Sequence, residues 1–340
     1  MTWFILKRLF RAFITVFFVT LIIFILIRVV PGDPIRMLVT GTAPDSAVEQ
    51  LRKDLGLDKS IPVQFMVFFK DAIRGDLGQS FFRSKQGSVG GSVGGSSVAR
   101  MEASGRGVKG LESIVKEAHE RAPVSKLIFE RFPLTLLLIF CSLVIGTLIS
   151  FIFAFISIKN KRIASFFDVF IVFIGALPNF WIAIMFILIF SVKLNLLSGV
   201  GFSSWKSLIL PCSVLALTLI PSTFKTMFES LKRINSELFM IALSERGMPE
   251  KIINRHRYRH FFSSIITFLG LQFGPLFGGV IIVEWLYSIP GMGTLFIYAV
   301  LQRDYPLIVG GVIIISILFV GLNFFVDVIY GVLDPRAREW

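Results

Sequence analysis

The sequence predicts an all-α membrane protein of six transmembrane helices, with both termini cytoplasmic and a large external loop between helices 1 and 2. Three observations carry this expectation. The 340-residue chain is 54% hydrophobic, holds 37 phenylalanines and has a mean hydropathy of +0.78, beyond the roughly 45–50% apolar share of soluble domains. Apolar runs of the ~20 residues needed to cross the hydrocarbon recur along it. Basic clusters fall at the amino end, at 159–162, across 229–260 and in the tail, four places that six crossings put on one side of the membrane.

The formal charge of +13 does not point to nucleic acid. Lys and Arg punctuate apolar runs here instead of gathering on a polar domain. Cys141 and Cys212 sit in or beside apolar runs with no metal-type spacing and read as small buried hydrophobes.

The first helix, within 1–30, follows Lys7, Arg8 and Arg11. Its apolar stretch exceeds the ~7–15 residues of a signal peptide's core and ends at Arg28 and Pro31-Gly32-Asp33-Pro34, not at a small-residue cleavage site, so a retained helix is expected. Residues 31–132 are polar enough for an extracytoplasmic loop, with turn chemistry at Leu55-Gly56-Leu57-Asp58 and around Gly75 and Gly78. Within it, 86–121 is rich in Gly and Ser and poor in bulky apolar residues, and is expected to be disordered.

The rest, 133–330, reads as a core of five helices. Helix two starts after Pro133, a residue suited to a first helical turn, and stops at Lys159, Lys161 and Arg162. The apolar stretch 163–192 contains Gly175 and Pro178, and is either one kinked helix or an interfacial piece followed by a helix. Helix four covers 207–227 despite Pro211 and Pro221, which membrane helices tolerate. Helix five covers 261–286, helix six 306–330, and the tail 331–340 is basic.

The loop 229–260 is far longer than a connection requires. From Glu237 to Leu243 it is helix-compatible and mostly apolar, Gly247 and Pro249 break it, and a second amphipathic piece rich in Arg and His begins at Lys251. That pattern is a short helix, a tight turn and another helix. It serves equally as a handle for a soluble motor domain or as an amphipathic helix lying on headgroups.

The loop resembles the cytoplasmic coupling loop of ABC importer permeases: Gly247 takes the glycine position, Glu237 and Ala242 suit neighbouring positions, and Arg255-His256 is similar to the family's Arg-His pair. Leu243, Ile241 and Ser264 stand where the family usually carries alanine, arginine and proline. In order along the chain, Arg28 to Pro34, Leu55 to Asp58, Gly75 to Ser80, Leu177-Pro178-Asn179-Phe180-Trp181, Glu284 to Gly293, Arg303-Asp304-Tyr305-Pro306 and Asp334-Pro335-Arg336 resemble the B-type permease of dipeptide, oligopeptide and nickel importers. The resemblance leaves out 86–121 as an insertion.

It implies a bacterial inner-membrane, multi-pass permease that pairs with a second homologous permease. Two cytoplasmic ATPase subunits would dock on the coupling loops, at Glu237, Ala242, Gly247 and Arg255 in this chain, and an extracytoplasmic solute-binding protein would deliver cargo. Dipeptides or oligopeptides are the expected cargo, with nickel or another small solute as the alternative. An ion-coupled secondary transporter would show paired broken helices and an internal repeat, and Gly175 to Pro178 has no counterpart elsewhere. A membrane-embedded enzyme would show convergent ionisable residues inside the helices, and few are visible.

Glu284 is an ionisable group at membrane depth, either facing the translocation path or anchoring the loop that follows it. His256 and His260 lack a third ligand and are interleaved with Arg255, Arg257 and Arg259, which disfavours a metal site. The sequence carries no phosphate loop, zinc-protease helix or nucleophile elbow. No cofactor, no metal and no ATP hydrolysis are therefore expected of this chain.

Overall fold

The computed structural model describes residues 2–29, 48–49, 52–53, 56–84 and 121–333. Of the Gly/Ser-rich segment 86–121 all but Arg121, which lies in a strand, falls outside the described residues, as do the Pro31 to Pro34 motif and the basic tail 334–340. The architecture is helical: α1 (Thr2–Val29), α2 (Ile61–Ile73), α3 (Val124–Lys159), α4 (Lys161–Ala176), α5 (Asn179–Phe186), α6 (Ile209–Ser236), α7 (Leu238–Glu245), α8 (Glu250–Leu286), α9 (Met292–Gln302) and α10 (Tyr305–Leu333). One antiparallel pair, β1 (Gln79–Ser84) and β2 (Arg121–Pro123), joins Gln79 opposite Pro123 and Ser84 opposite Arg121.

Among the described residues, five helices are long and apolar enough to cross a membrane: those spanning Leu6–Val29, Val124–Lys159, Trp205–Ser236, Phe268–Leu286 and Tyr305–Val326. A sixth crossing is present if α4 and α5 with its extension count as one broken span. The sequence leaves 163–192 as one kinked helix or two pieces, and the structure shows two, bent by 96°. Pro178 is the cause. The residue before a proline is pushed out of the helical region, and Leu177 is extended at φ −85°, ψ 131°. Asn160 opens α4 by accepting the Arg162 N–H at 2.9 Å, while α5 runs on as a π-helical turn over Ile187–Lys193.

Three helix boundaries differ from the sequence reading. Helix two begins at Val124, not after Pro133, which lies inside it. The added turns carry a Lys126–Glu130 pair at 3.8 Å, so charge marks the end of the apolar window and not the end of the helix. Helix four likewise continues to Ser236, and helix five is the apolar half of a single helix that starts at Glu250. The segment 229–260 is thus mostly helix, with its turns confined to 237 and 246–249.

The chain divides into two compact units, one built on Pro133–Thr294 and the other on Phe13–Phe132 with Leu295–Leu318. The core of the first is a cluster that includes Ala154 of α3, Ile171 of α4, Phe224, Met227, Leu231 and Ile234 of α6, Met240 of α7, and Phe261 and Ile265 of α8. In the second unit, phenylalanines zip α2 onto α1: Phe13 meets Phe69, Phe17 meets Phe65 and Phe69, and Phe24 meets Phe65 and Phe68. Residue numbers rise along one helix as they fall along the other, so the two run antiparallel.

Candidate functional site

The helix–turn–helix between α6 and α8 is built by local rules. Glu237 is extended at φ −70°, ψ 137°, which stops α6, and its carbonyl accepts the Met240 and Ile241 N–H groups at 2.9 and 3.2 Å to start α7. At the far end Gly247 has φ +65°. Its N–H donates to the Ser244 carbonyl at 3.1 Å and that of Met248 to the Leu243 carbonyl at 3.2 Å, the pair of bonds that closes a helix on a left-handed glycine. Pro249 then opens α8, its carbonyl accepting from Ile252 at 2.9 Å. This is the short helix, tight turn and second helix that the sequence pattern describes.

The elbow has two faces. Phe239, Met240 and Leu243 pack inward on the cluster shared by α3, α6 and α8. Outward lie Leu238, Ile241, Ala242 and Glu245, at the i, i+3, i+4, i+7 spacing of one helical face. Leu238 is 85% exposed, an apolar side chain that none of the described residues covers. On α8, Ile252, Arg255, His256 and Arg259 repeat the same spacing and are also exposed. The outer side of α7 is thus an exposed apolar stripe, and its inner side packs on the helices that continue into the membrane. Glu237, Ala242, Gly247 and Arg255 all fall on this elbow.

Glu284 occupies a different place. Near the carboxyl end of α8 it is fully buried, at 0% exposure. The Thr135 hydroxyl donates to Glu284 Oε1 at 2.6 Å and the Gly293 N–H to Oε2 at 2.6 Å, while the Met292 N–H donates to Thr135 Oγ1 at 2.8 Å. The loop from Tyr287 to Gly293 is folded over the carboxylate. Gly293 is needed there because an added Cβ would collide with the Ile281 backbone and lie 2.9 Å from Glu284 Oε2. Tyr287 fixes the loop's start by donating its hydroxyl to the Ala183 carbonyl at 3.2 Å. Burial pushes that phenol above the ordinary tyrosine value, so it remains a neutral donor.

Sequence reasoning alone does not find Thr135, Tyr287 or the pairing of Ser80 with Asp304. In the second unit Asp304 caps α10 and its carboxylate accepts from the Ser80 hydroxyl, from the Phe81 N–H at 3.1 Å and from the Leu307 N–H at 3.4 Å. Two of the quoted motifs, Gly75 to Ser80 and Arg303 to Pro306, are therefore one latch made of residues 224 apart. Asp304→Ala removes a helix cap and strands buried donors, each worth about 1–3 kcal/mol. Thermal unfolding of the purified protein is expected to begin several degrees lower in that variant, with Asp304→Asn intermediate; an unchanged curve would contradict the latch.

Five helices of membrane length among the described residues, with a sixth if the bent pair is one span, define a class: multi-pass helical membrane proteins. The chain belongs to the family of binding-protein-dependent transport system inner membrane components, whose model matches residues 146–339, and the N-terminal model for such membrane components matches 1–97. It is thus an ABC importer permease and a multi-pass protein of the bacterial inner membrane, a transport subunit and not an ATPase family member. A Brucella abortus (strain 2308) protein named as a peptide transport system permease is 29% identical over 351 residues, covering 99% of each chain. The glutathione transport system permease protein of Escherichia coli (strain K12) is 28% identical over 338 residues, covering 98% of each. One chain of an amino acid ABC transporter crystallised with histidines aligns at a TM-score of 0.46 and 17% identity, over 62% of this chain and 94% of that one.

Proposed function

We propose that this chain forms half of a translocation path for dipeptides or oligopeptides and that the α7 elbow passes the ATPase stroke to its membrane helices. The observation that carries the coupling role is the exposed stripe of Leu238, Ile241 and Ala242 on a helix whose other side is packed between α6 and α8. A groove on a cytoplasmic ATPase covers that stripe, with Arg255 beside it, and moving α7 tilts α6 and α8 as a rigid body between two packings. The working assembly has this chain, a second homologous permease, two ATPase subunits and an external solute-binding protein. Both termini and the elbow face the cytoplasm, and 31–132 leaves and re-enters the core from the outer side, with α2 packed along the α1 span. The peptide cargo is supported by two relatives named for peptide and glutathione transport.

The test is uptake of a labelled dipeptide, a labelled tetrapeptide, labelled glutathione and radioactive nickel in cells with and without the gene. Loss of one or more peptide substrates alone supports the reading, and the pattern among the three sets the size preference. Loss of nickel uptake alone would keep the permease and overturn the peptide cargo. Deleting the partner ATPase must remove the same uptake; transport that survives it would overturn the coupling role of α7.

A further inference from the structure

The second unit has a half-open cavity of about 370 Å³, within the range of small-molecule sites, at the carboxyl end of α1. Its wall includes Phe24 and Arg28 of α1, Gln64, Val67 and Phe68 of α2, and Lys59 of the turn that precedes α2. Among the described residues the lining contains two cations and no carboxylate. Arg28 is built into place. Its guanidinium lies 3.4 Å from the centroid of the Phe24 ring, Nε donates to Gln64 Oε1 at 2.8 Å and Nη1 to the Phe24 carbonyl at 3.3 Å. Gln64 in turn donates Nε2 to the Lys59 carbonyl at 2.7 Å, bracketing the turn that bears Lys59 against the end of α1. Two of the five guanidinium N–H groups are used in this way, and the Nη2 edge has no partner among the described residues.

Depth decides what such a site meets. The apolar span of α1 ends at Val29, one residue beyond Arg28, which places the guanidinium at the level where hydrocarbon gives way to headgroups. Below it, α2 lies along the same span through the Phe13 to Phe24 zipper, and its free face shows Val63, Met66 and Val67, all exposed and at i, i+3, i+4 spacing. Val67 both lines the cavity and belongs to that face. Cations at headgroup level, continuous with an uncovered apolar strip running into the hydrocarbon, match an anion attached to acyl chains.

We propose that this cavity is a binding site for the phosphate of an anionic phospholipid, held by Arg28 and Lys59, with an acyl chain lying on Val63, Met66 and Val67. The Nη2 N–H groups of Arg28 suit a phosphate oxygen, and the Phe24 face and Gln64 hold the guanidinium at a fixed angle before the lipid arrives. A bound lipid would staple α2 to α1 from outside. The proposal rests on α1 crossing the bilayer and is independent of the cargo.

Native mass spectrometry of the detergent-solubilised permease, in the complex as isolated from membranes, reads the site directly. Phosphatidylglycerol and phosphatidylethanolamine are added in separate arms, and inorganic phosphate is added as a competitor in a third. Each juxtamembrane cation contributes roughly fivefold, so Arg28→Gln with Lys59→Gln is expected to weaken phosphatidylglycerol retention by about 25-fold. Lys59→Gln alone, which keeps the backbone carbonyl that Gln64 holds and changes only an exposed side chain, should weaken it about fivefold with no change in complex yield, and Arg28→Lys should retain most of it. Equal retention by wild type and the Lys59→Gln variant overturns the proposal. So does equal binding of phosphatidylethanolamine and phosphatidylglycerol, which would show that net negative charge is not read. Displacement of the lipid by millimolar inorganic phosphate would assign the site to a free anion and overturn the lipid assignment.

Discussion

A Gly247→Val permease is expected to insert and assemble at normal levels and to import nothing. Gly247 holds φ +65°, a left-handed conformation that costs an L-residue about 1–2 kcal/mol and a β-branched one more. Nothing lies within 4 Å of where its Cβ would stand, so the penalty is in the backbone and not in a clash. The chain relieves it by leaving the turn, which breaks the bonds from Gly247 to Ser244 and from Met248 to Leu243 that set the end of α7. α7 then points elsewhere while the membrane helices are untouched. The series separates this mechanism from a general defect: Gly247→Asn, which tolerates the left-handed region, should keep part of the uptake, Gly247→Ala less and Gly247→Val none. Membrane fractions probed for the permease and its ATPase, together with labelled peptide uptake, make the comparison. Wild-type uptake in the valine variant would remove the elbow from the coupling mechanism.

The second large effect is expected at the buried carboxylate. Gly293→Ala places a methyl against the Ile281 backbone and the Glu284 side chain, neither of which is a flexible end, and should prevent stable accumulation of the protein. Glu284→Ala takes the acceptor from the Gly293 N–H and the Thr135 hydroxyl, about 1–3 kcal/mol for each buried donor left without one. Glu284→Gln is the informative change, because it keeps size and removes charge. As an anchor, Glu284 should yield a glutamine variant with lower thermal stability in detergent and unchanged uptake per folded molecule. Unaltered stability with lost peptide uptake would instead place Glu284 on the translocation path, where its charge meets a peptide amine.

Much of the framework was legible because it depends on quantities local to the chain. A run of twenty apolar residues has one economical place in a cell, and a basic cluster has one favoured side of a membrane. The elbow was legible for a related reason: Glu237, Gly247 and Pro249 act through their own backbone conformations, so helix, turn and helix follow without knowledge of any neighbour. Helix ends at Val124 and Ser236 were less visible, since hydropathy reports where a helix leaves lipid and is silent about hydrogen bonding that continues in water.

What tertiary structure decided is which distant groups meet. Asp304 and Ser80 are ordinary turn residues in sequence and a single buried latch in space. Thr135 lies in a featureless apolar run, yet it is the hydroxyl that joins the Glu284 carboxylate to the Met292 amide. Arg28 reads as the end of a helix until Gln64 and the turn at Lys59 place it in the wall of a half-open cavity. A sequence by itself determines where each segment resides and how it bends, because solvation and backbone sterics act residue by residue. Pairing of polar groups is a property of packing, since a buried donor takes whichever acceptor the assembled helices bring within 3 Å.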